Sequence, residues 1–384
     1  MMMIDLHGGF GEKGRTCVGV RAGGLRLLLD AGIKVGARPE NYHPALAEAD
    51  ITAIDALFIS HAHEDHVGAL PWLLARGFRG RIFMTAEARA ETPATLAAYA
   101  MPDDLARAPF PLDRVELFRP GQSINLGGVT ITTGRSGHVA GGVWLAVEAD
   151  GRQLVYSADI APDSAVFAMD PTPHCDALLI DASYGVDPIS GEERAATIAE
   201  WVARHASGCL LPTPLYGRSL ELIAAIDAPL AICASMRPAL QAQIAAADAL
   251  RLGVSDLLVK RLAQAEDWRD GDALPRRALL CDDGMGTAGP SARLIPRADT
   301  EGMPILLTGH LPAGSPGDRV YRAGRADWIR MPTHPTLPGL IACWETAGQP
   351  LTLGHSCENP ALEELARHIN RLSVDLATGD SLSI

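Results

Sequence analysis

The sequence predicts an α/β fold in which short buried strands alternate with helices. Three observations carry this. Apolar runs of strand length recur along the chain, as in Ile54-Asp55-Ala56-Leu57-Phe58-Ile59-Ser60. Stretches with a helical start follow them, as in Gly68-Ala69-Leu70-Pro71-Trp72-Leu73-Leu74. The histidines and carboxylates cluster in the loops between, where layered α/β proteins collect their chemistry at the carboxyl ends of strands.

In chain order, Gly8-Gly9-Phe10-Gly11-Glu12-Lys13-Gly14-Arg15 reads as a glycine-rich turn, and Leu27-Leu28-Leu29-Asp30-Ala31-Gly32 as an apolar strand closed by a carboxylate. A helix is expected over Thr92 to Ala100. Ser136-Gly137-His138-Val139-Ala140-Gly141-Gly142 places a histidine among glycines, and Leu154-Val155-Tyr156-Ser157-Ala158-Asp159 ends a strand on an acid. Helices are expected over Ala195 to His205, Pro238 to Leu250 and Pro360 to Leu372, with Leu230-Ala231-Ile232-Cys233 a strand between the first two.

The densest chemistry is His61-Ala62-His63-Glu64-Asp65-His66, three histidines and a carboxylate that one loop can offer to metal ions. Neutral imidazole and carboxylate are good zinc ligands, and a catalytic zinc keeps one position open for water. Alone, His138 is an ordinary loop histidine and Asp159 an ordinary helix cap. Their order after the hexapeptide makes them ligand candidates.

The hexapeptide, His138 and Asp159 resemble the ligand motifs of the metallo-β-lactamase superfamily. Further stretches are similar to its β-CASP nuclease branch. Leu178-Leu179-Ile180-Asp181-Ala182-Ser183-Tyr184-Gly185 resembles motif A, with Asp where many members have Glu. Thr308-Gly309-His310-Leu311-Pro312 resembles motif B, and Pro332-Thr333-His334-Pro335 motif C. Gly208 to Glu221 is similar to the family's strand, Gly-Arg turn and helix, and Asp283 to Pro290 to its second glycine-rich loop. The resemblance implies an αββα sandwich of two mixed sheets with an inserted α/β β-CASP cap. Residues 1–185 would begin the sandwich, 186–307 form the cap and 308–384 complete the sandwich.

It also implies two zinc ions, with manganese as a substitute. His61, His63 and His138 would hold one, Asp65, His66 and His334 the other, and Asp159 would bridge them. A hydroxide activated by both ions would attack phosphorus. Asp65 thus serves in chemistry as well as binding, His310 would give a proton to the leaving oxygen, and Asp181 would orient a ligand histidine. Arg218 is the candidate phosphate contact, with an ion pair to Glu221 as its structural alternative. His355, in Leu351-Thr352-Leu353-Gly354-His355-Ser356, either supports the site or merely ends a strand.

In the family a histidine at motif C accompanies RNA enzymes, so single-stranded RNA is the expected substrate, admitted beneath the cap. A DNA nuclease, a hydrolase of small esters, lactones or thioesters, and a non-catalytic binding protein are the alternatives. The charge speaks for the second of these. The chain has 33 basic and 46 acidic residues, a net charge of -13, and no basic stretch of the kind that grips a phosphate backbone. Residues 186–307 alone hold 12 basic and 16 acidic side chains, a balance of -4.

Arginine outnumbers lysine 30 to 3, which favours bidentate phosphate contacts wherever guanidinium groups converge. No apolar run reaches the length of a membrane span, and the first residues lack the basic and apolar regions of a signal peptide, so a cytoplasmic protein without a membrane partner is expected. A homodimer is left open. Seven cysteines without a C-x-x-C pair argue against a disulfide framework, and only Cys357, near a ligand-bearing strand end, is singled out.

Overall fold

The computed structural model describes residues 1–384. By compactness the chain divides into two units, residues 1–162, 169–188 and 334–384 in one, and 163–168 with 189–333 in the other.

The first unit holds two seven-stranded mixed sheets. One runs in the order Ser381–Ser383, Met3–Gly8, Cys17–Ala22, Leu25–Leu29, Ala56–Phe58, Arg81–Met84, Val115–Leu117. The other runs Leu372–Ser373, Leu351–His355, Ala177–Asp181, Arg152–Tyr156, Val143–Ala149, Thr130–Arg135, Ser123–Asn125. Side chains alternate across each strand. Leu27 and Leu29, Ala56 and Phe58, Leu145 and Val147, and Leu154 and Tyr156 point into one core between the sheets. Their neighbours Leu28, Leu57, Ile82 and Met84 pack outward with Leu70, Leu73 and Ala88 of the helices. Val155, Leu178 and Ile180 do the same on the other sheet with Leu340, Trp344 and Leu362. Burial on both faces is why these strands read as continuous apolar runs. The unit is therefore the αββα sandwich.

Several elements differ in extent from the sequence expectation. The helix expected from Thr92 already begins at Ala86, where the Thr85 side chain caps it by accepting from Ala88 N. The C-terminal helix covers only Asn359–Leu365, because Leu372 must unwind to pair with Thr352. The helix expected over Pro238 to Leu250 is Arg237–Ala245. Ala246 leaves helical geometry, and the Ala249 carbonyl accepts from Ala168 N.

The second unit is built on a parallel sheet in the order Cys209–Pro212, Ala278–Cys281, Leu230–Cys233, Glu266–Trp268. Leu210 continues it through a parallel bridge to Ile305, and Leu306–Leu307 pairs in parallel with Asp327–Trp328. That pairing moves the expected return to the sandwich. Residues 308–326 form the loop and helix that connect these two strands, the cap unit runs on to Thr333, and the chain re-enters the sandwich at His334 and not at 308.

Candidate metal centre

The ligand candidates of the first unit follow the carboxyl ends of its strands. Residues 61–66 follow Ala56–Phe58, His138 follows Thr130–Arg135, Asp159 follows Arg152–Tyr156, and Asp181 ends Ala177–Asp181. Three sets of donor atoms result, each within 4.8 Å: His61, His63, His138 and Asp159; Asp65, His66 and Asp159; and Asp159, Asp181 and His334. Asp159 belongs to all three.

The distances suit cations. His61 Nε2 and His138 Nε2 each lie 3.7 Å from Asp159 Oδ2, and His138 Nε2 lies 3.1 Å from His63 Nδ1. On the other side of Asp159, His66 Nε2 is 3.1 Å from Oδ1 and 3.9 Å from Asp65 Oδ2. Donors at zinc bond length in a tetrahedron stand about 3.3 Å apart. His61 Nε2, His66 Nε2 and Asp159 Oδ1 are buried without a hydrogen-bond partner. Buried polar atoms are seldom left so, and a cation between them would satisfy all three.

Hydrogen bonds behind the donors fix which nitrogen each ring presents. Asp30 is the hub. It accepts from Ser60 N, Ser60 Oγ, His66 Nδ1 and Tyr156 OH, each at 2.7 Å. The Ser60 hydroxyl proton goes to Asp30, so Ser60 Oγ accepts from His61 Nδ1 at 3.0 Å, leaving His61 Nε2 bare toward Asp159. Asp181 Oδ2 receives His334 Nδ1 at 2.7 Å, while its Oδ1 takes Ser183 N and Ser183 Oγ. His334 thus meets Asp159 beside Asp181, and Asp159 links it to the set of Asp65 and His66.

Electrostatics favour the ligating protonation states of His61, His63 and Asp159, and the charged ring of His334. Burial, then the neighbouring imidazoles, hold His61 and His63 well below the usual histidine range, so both are neutral. Burial pushes the Asp159 carboxyl up, but His66 and His334 overcome it and keep it well below the usual carboxylate range. Burial likewise works against protonated His334, yet Asp181 and Asp159 carry it up to about 10.

His355 is fully buried in the same unit. Its Nε2 meets Ser157 Oγ at 3.4 Å and its Nδ1 meets Ser356 Oγ at 3.2 Å. Ser157 Oγ in turn accepts from Asp181 N and donates to Ala158 O, so His355 buttresses the segments that carry Asp159 and Asp181. Cys357 is buried, and that burial pushes its thiol up to about 11, which leaves it unreactive near neutral pH.

Arg218 and His310 lie in the second unit. Arg218 is buried; its Nε donates to Met331 O at 3.3 Å and its Nη2 to Thr333 Oγ1 at 3.2 Å. Gly309 packs so close to its guanidinium that a Cβ there would force the guanidinium to shift. The expected ion pair with Glu221 does not form, because Glu221 takes the Ser164 hydroxyl. His310 is exposed on the turn after Leu306–Leu307, and Trp328 Nε1 holds the preceding Gly309 carbonyl at 2.8 Å. In the glycine-rich loop beyond Cys281, the Asp283 carboxylate fills its own ring of donors, among them Met285 N at 2.7 Å and Gly286 N at 2.6 Å.

Sequence reasoning missed Asp30 and Tyr156 as parts of the site. The signal for Asp30 was its abrupt appearance after Leu27-Leu28-Leu29, at a backbone φ of 61° that few residues other than glycine adopt. Tyr156 carried no signal, since it sits in an apolar strand.

An αββα sandwich that gathers these donors at its strand ends is the architecture of the metallo-β-lactamase superfamily, and the parallel α/β unit beside it in the sequence resembles the insert of the β-CASP branch. Residues 25–210 match the family model for a beta-lactamase superfamily domain. Among curated proteins, the chain is 28% identical over 256 residues to cleavage and polyadenylation specificity factor subunit 3 of Dictyostelium discoideum, covering 59% of this chain and 32% of that protein. Endoribonuclease ysh1 of Schizosaccharomyces pombe is 30% identical over 58% of this chain and 32% of its own length. A ribonuclease of Thermus thermophilus is 30% identical over 44% of this chain and 40% of its own. The match with each of these relatives thus spans well under half of the relative's length. A crystal structure of a protein of unknown function from Enterococcus faecalis V583 superposes with a TM-score of 0.64 at 12% identity, covering 99% of both chains, which establishes the shared fold.

Proposed function

We propose that this chain is a zinc-dependent phosphodiester hydrolase acting on single-stranded RNA, with manganese able to replace zinc. The observation that carries this is that the donor sets join through Asp159, with the unpartnered His66 Nε2 and Asp159 Oδ1 3.1 Å apart and His61 Nε2 and His138 Nε2 each 3.7 Å from Asp159 Oδ2. When bound there, two divalent ions supply charge neutralisation at the phosphoryl oxygens and activation of water for attack on phosphorus.

The residues divide the remaining work. His61, His63 and His138 would hold one ion; Asp65 and His66, joined by His334, would hold the second; Asp159 would face both. Asp181 holds the His334 ring by its Nδ1, and Asp30 holds His66 by its own. His310, exposed on its turn, would donate the proton that the leaving oxygen needs. Arg218 would shape the segment around His310 from within the cap. Its Nε and Nη2 serve Met331 and Thr333, which supports this role beside the phosphate contact expected of it.

RNA is preferred to DNA on the histidine at position 334 and on the names of the relatives, two of which are called ribonucleases. No helix is long and apolar enough to cross a membrane, and a cytoplasmic RNA substrate agrees with that. One feature favours a second reading: a net charge of -13 suits a small ester or thioester better than a polyanion.

The deciding experiment offers the purified protein, with zinc or manganese at low salt, end-labelled RNA and DNA of equal sequence and a chromogenic ester. Cleavage of the RNA alone is the expected result. Intact RNA beside rapid ester turnover would replace this reading by the second.

A further inference from the structure

The glycine-rich turn near the N-terminus carries a cation that neither the fold nor the metal centre uses. Residues 8–16 form a loop clamped at several points. Thr16 N donates to Asp65 O at 2.9 Å, Ser356 N donates to Gly9 O at 2.7 Å, Arg15 N donates to Ile33 O at 2.8 Å, and Phe10–Gly11 pairs with Cys357–Glu358. The loop is thereby fixed against the backbone of the ligand Asp65 and the strand end beyond His355. Gly11 and Gly14 bracket Glu12 and Lys13 with left-handed φ of 69° and 80°, which turns this short tip outward.

Charges on this tip are not equally spent. Glu12 accepts from Arg15 Nε and Lys34 Nζ, both at 2.8 Å, and neutralises them. Lys13 is exposed, and its one hydrogen bond runs to a neutral group, the Ser183 carbonyl, at 3.2 Å. Ser183 is the residue whose N and Oγ bind Asp181 Oδ1, and Asp181 Oδ2 binds His334. Two Nζ protons remain free on an ammonium anchored within two hydrogen-bonded residues of the metal centre. In a chain with three lysines and a net charge of -13, such a cation at this spot points to an anionic ligand.

We propose that Lys13 binds substrate: its ammonium holds the phosphate next to the reacting one in the RNA strand. This rests on the RNA-hydrolase reading above. A point charge on a flexible stem suits a phosphodiester that shifts as the strand advances.

The test compares wild type with Lys13→Ala and Lys13→Arg. With RNA, Lys13→Ala should raise KM about 5- to 10-fold at low salt with kcat within about twofold, and its log(kcat/KM) should fall with log salt less steeply by about 0.7, the share of one single-strand phosphate contact. Affinity of the metal-free protein for a single-stranded oligonucleotide should shift in parallel, and Lys13→Arg should restore both. A small chromogenic phosphodiester, which has no flanking phosphate, should be turned over equally by all three proteins, with unchanged metal content. Equal loss on the small diester would show that Lys13 acts by holding Ser183 and would overturn the proposal. So would an RNA-cleaving wild type whose salt slope and KM are unaltered in Lys13→Ala. A wild type that neither binds nor cleaves RNA removes the hydrolase reading and this proposal together.

Discussion

Asp30 Oδ2 accepts the Nδ1 proton of His66 at 2.7 Å, and both side chains are completely buried. The bond turns His66 Nε2 toward Asp159. The same carboxylate takes Tyr156 OH and both donors of Ser60, so one residue at a strand end aligns the rings of His66 and, through Ser60, His61. Asp30→Asn should therefore weaken metal binding about 10- to 100-fold, since partners of this kind set ring orientation and basicity. Zinc titration against a competing chelator measures it. Unchanged affinity in a folded variant would remove Asp30 from the site.

His334→Ala should lower metal content from two ions toward one. It removes the ring that Asp181 holds at 2.7 Å and that stands 3.8 Å from Asp159, but leaves His61, His63 and His138 intact. Elemental analysis after dialysis reads the result. Loss of both ions would mean that His334 organises the whole centre, and loss of neither that it belongs to catalysis alone.

His310→Ala should keep both metals and a normal circular dichroism spectrum while slowing RNA cleavage by about 10²- to 10⁴-fold, the usual range for one general acid. A drop in metal content with the same change would make His310 a ligand.

Arg218→Ala should destabilise the protein by about 1–3 kcal/mol, because the Met331 carbonyl and Thr333 hydroxyl lose a buried donor. Lysine should not restore it, since one ammonium cannot reproduce the fork that serves both. Urea unfolding gives the comparison, and full rescue by Arg218→Lys would show that charge alone matters there.

Glu91 offers a pH test independent of the metals. It lies buried in the helix Ala86–Tyr99, and burial first, Glu87 second, push its carboxyl up to about 8. A carboxyl whose folded value exceeds its unfolded value stabilises fully below the unfolded value and loses that contribution as pH rises through the folded one. Wild type should therefore fall behind Glu91→Gln by roughly 1.4 kcal/mol per pH unit between about pH 4.5 and 8, and by a constant amount above. Thermal unfolding at pH 5, 7 and 9 should show the gap widening. Parallel stability curves would mean that Glu91 ionises freely in the folded protein.

Much of the centre was legible because its donors are local. His61, His63, Asp65 and His66 fall within six residues, and Asp159 and Asp181 each close an apolar strand, so type and order alone pointed to them. The cap's extent was less legible. Residues 308–333 carry ligand-like and glycine-rich stretches that suggest the sandwich, yet the pairing of Leu306–Leu307 with Asp327–Trp328 commits them to the cap. Helix ends shifted wherever a tertiary hydrogen bond, such as Ala168 N to Ala249 O, ended the helix before its apolar pattern did.

The sequence by itself determined the layer pattern, through apolar periodicity, and which side chains are candidate metal donors, through their chemistry. Tertiary structure decided which partner each of them leans on. His66 finds Asp30 across 36 residues, Asp30 finds Tyr156 across 126, and His334 finds Asp181 across 153. It also turned Arg218 inward, away from Glu221 and onto Met331 and Thr333. Such pairs depend on strand register and on how sheets stack, which bring distant loops within hydrogen-bond reach only after the apolar core has closed. No local pattern of residues encodes that proximity.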